Sequence, residues 1–128
     1  MFVGMNGLRE LTKAEEQVMQ VLWQLKKANV HGIIEQLPEP RPAYNTVSTI
    51  VRILEQKGFV GHESVGRAHF YFPSVEKDKY RTFAMSNLMD GYFQGSLSKM
   101  VSFFVEKENL DLEEVDEIKR IIDEHKNK

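Results

Sequence analysis

The sequence predicts a mainly α-helical protein with one small β-hairpin, arranged as two units. Three observations predict it. Six stretches carry apolar residues at helical spacing. Only one, residues 67–72 (RAHFYF), alternates clearly with the period of a strand. The composition also changes from Val75 onward, which places the expected domains at 1–74 and 75–128.

A chain of 128 residues is enough for one domain or two small ones. Its hydrophobic content of 41% and charged content of 28% are those of a soluble globular protein. It has no run of about 18 apolar residues, so neither a transmembrane helix nor direct membrane binding is expected. The start, MFVGMNGLRE, lacks the basic region and long apolar core of a secretory signal. There are no cysteines, which excludes disulfides, thiolate metal sites and cysteine nucleophiles. The expected location is the cytoplasm.

Residues 1–10 read as a loose arm. Thr12 and Glu15 then fit a capping box that opens the first helix. Ala14, Val18, Val21, Leu22 and Leu25 form its expected buried face, broadened by Met19 and Trp23, with Lys26 and Lys27 in its last turn. Ala28-Asn29 reads as a turn. A short second helix from about Val30 to Leu37 presents Val30, Ile33, Ile34 and Leu37. Pro38, Pro40 and Pro42 then enforce an extended link.

The third helix lies in Ala43–Gly58, AYNTVSTIVRILEQKG. Val47, Ile50, Val51 and Leu54 make one apolar face. Asn45, Ser48, Thr49, Arg52 and Gln56 make the opposite one, which carries no acidic residue. Gly58 supplies a left-handed stop, with Lys57 near the negative helix end. Such a helix can bury one face and offer the other to a DNA major groove, where Arg, Asn and Gln pair with base edges. Three short helices in this order describe a helix-turn-helix core.

Phe59-Val60 begin a strand, Ser64-Val65-Gly66 turn, and residues 67–72 return. Ala68, Phe70 and Phe72 fall on one face, and Arg67, His69 and Tyr71 on the other. A basic hairpin directly after a helix-turn-helix is the signature of a winged helix, and Arg67 lies near the wing tip.

From about Glu76 to Tyr92 a fourth helix has a wide apolar arc of Tyr80, Phe83, Ala84 and Leu88, broadened by Met85, Met89 and Tyr92. Gly91 and Gly95 bracket a bend. A fifth helix, about Ser96 to Lys107, offers Leu97, Met100, Val101 and Phe104. Asp111 caps a sixth, with Glu114 three residues on and Leu112, Val115, Ile118, Ile121 and Ile122 on its face. The polar end, Asp123 to Lys128, is expected to fray. Units this small are marginal alone, and oligomerisation is a common remedy. Residues 76–126 therefore read as a dimerisation domain. The expected contacts are Phe83, Leu88 and Tyr92 on the fourth helix, Leu97, Met100, Val101 and Phe104 on the fifth, and Val115, Ile118 and Ile122 on the sixth.

The net charge of −2 conceals an asymmetry. Residues 1–75 carry 8 basic and 7 acidic side chains, against 9 and 12 in 76–128. A local basic surface matters more for DNA binding than the overall balance.

With these pieces in order, the chain resembles the penicillinase-repressor (BlaI/MecI) family of winged-helix transcriptional regulators. The carrying stretches are LTKAEEQVMQVLW, YNTVSTIVRILEQKGFV, VGRAHFYFP, GSLSKMV and EEVDEIKRIIDEHKNK, which together span Leu11 to Lys128. The resemblance implies a homodimeric repressor of a dyad-symmetric, double-stranded operator. Its third helix, Tyr44 to Lys57, enters the major groove, with Thr46, Ser48, Thr49 and Arg52 as the leading contacts. Tyr44 and Asn45 flank them, and Arg67 and His69 belong to the wing.

In antibiotic-responsive members a membrane-bound sensor metalloprotease cuts after an asparagine that precedes a phenylalanine. The corresponding bond here is Phe103-Phe104, and Phe103 stands where the asparagine would be. The implied cleavage region is thus Phe103 and Phe104, and such a metalloprotease is the implied further partner. Copper-responsive relatives carry a cysteine-rich motif that this chain lacks. No cofactor or metal is expected.

Two other readings compete. One is a winged-helix protein–protein module without sequence-specific DNA binding, which the weak net charge favours. The other is an enzyme. Against it, the histidines His31, His62, His69 and His125 show none of the HExxH, GxSxG or phosphate-loop spacings. His62 and His69 can approach each other across the hairpin, and the expected class remains non-enzymatic.

Overall fold

The computed structural model describes residues 8–107 and 111–126. Its elements are α1 (Lys13–Leu25), α2 (Val30–Gln36), α3 (Tyr44–Gln56), β1 (Val60–Val65), β2 (Ala68–Pro73), α4 (Lys77–Phe93), α5 (Leu97–Lys107) and α6 (Leu112–Lys126). The mainly α class with one antiparallel hairpin is what forms. Contacts divide the chain into a unit ending at Met85 and a unit beginning at Ser86.

In the first unit the capping box forms as read. Thr12 N–H donates to Glu15 Oε1 at 2.8 Å, and Glu15 N–H donates to Thr12 Oγ1 at 3.2 Å. Val18, Met19, Val21 and Leu22 are buried. Ala14 and Leu25, expected on the same face, are exposed in the terminal turns of the helix. Lys26 does not sit in the last turn. It is the C-cap, with a positive φ of 73° and its N–H bonded to Leu22 O at 2.7 Å. Lys27 reaches the hairpin, where it pairs with Glu63 at 2.6 Å.

Ala28 and Asn29, read as a turn, have separate structural roles. Ala28 exchanges both backbone hydrogen bonds with Tyr71, at 3.0 and 2.8 Å, and so adds an extra rung beside β2. The Asn29 side chain caps α2 by accepting from Gly32 N–H at 2.8 Å.

α3 ends in a Schellman motif. Phe59 N–H donates to Leu54 O at 2.9 Å and Gly58 N–H to Glu55 O at 3.0 Å, with Gly58 at φ 84°. This turn drives Phe59 into the centre of the unit. Phe59, Met19, Leu22, Ile33, Leu54, Val18, Val47 and Val51 are fully buried there. Each such side chain contributes about 1.5–3 kcal/mol of burial. Ile50 is only half-buried, at the edge of the apolar face.

The start of α4 belongs to this core. The Tyr80 hydroxyl accepts from Leu11 N–H at 3.0 Å and donates to Glu16 Oε2 at 3.4 Å. Burial raises its pKa, and the nearby Glu16 charge adds to the shift. Trp23 Nε1 donates to Val75 O at 2.8 Å. Leu8 packs against the same core, so the arm expected over residues 1–10 is tied down at its end, while residues 1–7 lie outside the described residues.

In the second unit α4 continues through Gly91, which is helical. The break comes at Gln94 and Gly95, both with positive φ (55° and 74°). Ser96 Oγ accepts from Lys99 N–H at 3.2 Å, and Asp111 caps α6 by accepting from Glu114 N–H at 2.8 Å. The end expected to fray from Asp123 is helical as far as Lys126, and 127–128 lie outside the described residues. Neither α5 nor α6 buries a residue.

Candidate nucleic-acid interface

Burial of Val47, Val51 and Leu54 orients α3 and turns its polar stripe outward. Asn45, Thr49 and Arg52 are exposed on that stripe and Ser48 is half-buried. Arg52 folds back along its own helix. Its Nε donates to Ser48 O at 3.3 Å and its Nη2 to Thr49 Oγ1 at 3.5 Å. The guanidinium is thereby held against the Ser48 carbonyl and the Thr49 hydroxyl on the outer face of the helix. Such a cluster can donate to base acceptors or phosphate oxygens.

The other two sequence-identified residues of α3 flank this cluster. Thr46 is exposed toward the proline link and lines a groove of about 300 Å³ with Ile50, Pro40 and Pro42. Tyr44, in the first turn, keeps 47% of its surface. Its ring lies 4.8 Å, centroid to centroid, from that of His31 on α2.

The hairpin turn is tighter than read. Val65 pairs with Ala68, so Ser64 and Val65 are strand residues and the turn consists of Gly66 and Arg67 alone. Gly66 has φ 62° and Arg67 has no positive φ, the combination of a type II′ turn with glycine first. Arg67 therefore stands at the tip. Gly61 lets the Phe72 ring lie over the strand: a Cβ there would meet the end of that ring at 2.8 Å.

The face carrying His69 and Tyr71 is not uniformly exposed. Tyr71 is buried, because its backbone pairing with Ala28 draws it against the helices. Burial raises the pKa of its hydroxyl, with the Glu55 charge adding. His69 is exposed, accepts or donates at Nδ1 with Ser64 Oγ at 3.3 Å, and meets His62 edge-on at 4.8 Å. His62 Nδ1 lies 2.7 Å from Glu55 Oε2, which ties the wing to the end of α3. No group of three or more His, Asp or Glu side chains is placed to hold a metal ion among the described residues.

The residues expected to mediate dimerisation fall into three settings. Phe83 packs beside Tyr80 against the first unit's core. Met100, Val101, Val115 and Ile118 are half-buried. Leu88, Phe104 and Ile122 are exposed, as are Tyr92 at 80% and Leu97 at 58%. Phe103 and Phe104 are both exposed on α5, their rings 5.8 Å apart.

Residues 11–124 match the family model described as "Penicillinase repressor". The chain belongs to the penicillinase repressor family. It is 29% identical to the penicillinase repressor of Bacillus licheniformis over 125 residues, covering 97% of this chain and 98% of that one. It is also 29% identical to the methicillin resistance regulatory protein MecI of Mammaliicoccus sciuri over 118 residues, 91% of this chain and 96% of the relative. Among solved structures, the DNA-binding domain of the repressor BlaI matches with a TM-score of 0.49 and 28% identity, covering 56% of this chain and 88% of that one. Membership in this family, together with the helix-turn-helix and hairpin wing, makes this penicillinase-repressor relative a winged-helix transcriptional repressor.

Sequence reading missed His31 and the Glu55–His62 tie. Both are contacts between elements far apart in the chain, and neither residue type carries a local signal for them. No described helix is long and apolar enough to cross a membrane.

Proposed function

We propose that this chain acts in the cytoplasm as a homodimeric, non-enzymatic repressor that occupies a dyad-symmetric operator. The observation that carries this reading is the outward stripe of α3, where Arg52 lies across Ser48 and Thr49 on an exposed surface. α3 enters the major groove through Tyr44, Asn45, Thr46, Ser48, Thr49 and Arg52. Arg67 and His69 meet the flanking backbone from the wing. Half-sites about one helical turn apart follow from two such units on one dimer.

The apolar faces of α5 and α6, unburied in a single chain, support dimerisation through the second unit. Linking two winged helices makes the second DNA contact intramolecular and raises avidity without new contacts. Whatever breaks the dimer empties the operator. Proteolysis around Phe103 and Phe104, on exposed α5, is one such route, and it requires a membrane-bound sensor metalloprotease that accepts Phe103 in place of the asparagine cut in the antibiotic-responsive relatives.

The test is selection of duplexes from a random-sequence pool by the full chain. The reading expects an inverted repeat to be enriched. Enrichment of no sequence would remove it.

A further inference from the structure

His31 lies outside the set of DNA-contacting residues, yet it touches the first residue of the helix that carries them. It is exposed near the start of α2, and its ring lies 4.8 Å from the Tyr44 ring at an interplanar angle of 41°. Tyr44 is the first residue of α3 and keeps 47% of its surface exposed. In helix-turn-helix proteins the N-terminal residues of the recognition helix approach the base edges. A half-exposed tyrosine there has two side-chain torsions to fix before it can contact a base. A neighbouring ring that contacts it in the free protein fixes them in advance, so less ordering is left for the binding step.

We propose that His31 is a positioning residue for DNA reading, holding the Tyr44 ring in its base-contacting orientation from the neighbouring helix. The proposal rests on the operator-binding reading. It assigns a specificity role to a residue of α2, the helix that otherwise crosses the phosphate backbone. The requirement is an aromatic ring at position 31, not a charge or a hydrogen-bond donor.

The test uses the full chain in fluorescence anisotropy, with a duplex enriched by the wild type from a random pool and a scrambled duplex of equal length. The variants are His31→Ala, His31→Phe, Tyr44→Ala and the double variant His31→Ala/Tyr44→Ala. Both side chains are exposed, and a circular-dichroism melt of each variant verifies folding.

His31→Ala is expected to weaken binding to the enriched duplex about three- to tenfold, the range of one aromatic pair. Binding to the scrambled duplex and the salt slope stay as in wild type. His31→Phe restores affinity, and the double variant is no weaker than Tyr44→Ala. Wild-type affinity for His31→Ala overturns the proposal. So does equal loss on both duplexes with a shallower salt slope and no rescue by phenylalanine, which makes His31 a phosphate contact. A wild type that does not distinguish the two duplexes removes the operator reading itself, and this proposal with it.

Discussion

Lys57 Nζ lies 2.8 and 3.0 Å from the two carboxylate oxygens of Glu15. The residue that caps the C-terminus of α3 is thus clamped to the capping box that opens α1. Glu15 is 5% exposed, so the recognition helix is anchored at this end by a buried charge. Removing the lysine leaves that buried carboxylate with the Thr12 N–H but without its countercharge. Lys57→Met is expected to destabilise the first unit by about 2–3 kcal/mol, somewhat below the cost of breaking a fully buried pair because the lysine is partly exposed. Urea unfolding followed by Trp23 fluorescence measures it.

The same pair predicts a pH dependence. Burial pushes the Glu15 carboxyl up, but the Lys57 and Thr12 hydrogen bonds and the Lys57 charge outweigh it, leaving the pKa below the usual value. A carboxylate lowered in the folded state contributes stability above its unfolded pKa. That stability is lost as pH falls through the folded value. Glu15→Gln should therefore flatten the acid limb of the stability curve below about pH 4. An acid limb as steep as that of wild type contradicts the assignment.

At the wing, Gly61→Ala places a methyl against the Phe72 ring. The expected cost is about 1–3 kcal/mol of overpacking. Combining it with Phe72→Ala should cost less than the sum of the two single changes, because the clash is shared. Thermal melts of the four proteins give the comparison.

Much of this was legible in the sequence because it is local. The Thr12–Glu15 box, the Gly58 stop and the Asp111 cap each lie within a few residues of one chain segment, and all form. What was not legible depends on distant partners. Ala28 looks like a turn residue until Tyr71 pairs with it, and that pairing goes with the burial of Tyr71 on an otherwise exposed hairpin face. Lys57 reads as a helix-end cation until Glu15 arrives from α1. In the interface, the polar stripe of α3 follows from helical period, whereas the ring of His31 beside Tyr44 joins two helices and leaves no trace in either.

The Arg52 guanidinium beside the Thr49 hydroxyl on α3 predicts a discriminating loss. Arg52→Ala should weaken binding to an enriched duplex by about 1–3 kcal/mol while leaving random DNA little affected. Equal loss on both would assign Arg52 to phosphate instead.

For the second unit, Leu97→Asp puts a charge on the exposed apolar face of α5. The expected result in sedimentation is a monomer whose first unit still melts cooperatively and whose tight DNA binding is lost. A variant that stays dimeric places the interface elsewhere.

Sequence-specific repression through DNA can be read out in one anisotropy titration. The full chain is titrated onto the duplex upstream of its own gene and onto random duplex, at two salt concentrations. A repressor of its own promoter binds in a salt-dependent way, with clear preference for the upstream DNA. Weak binding, equal on both duplexes even at low salt, would contradict repression through DNA and leave the winged helix as a surface for a protein partner.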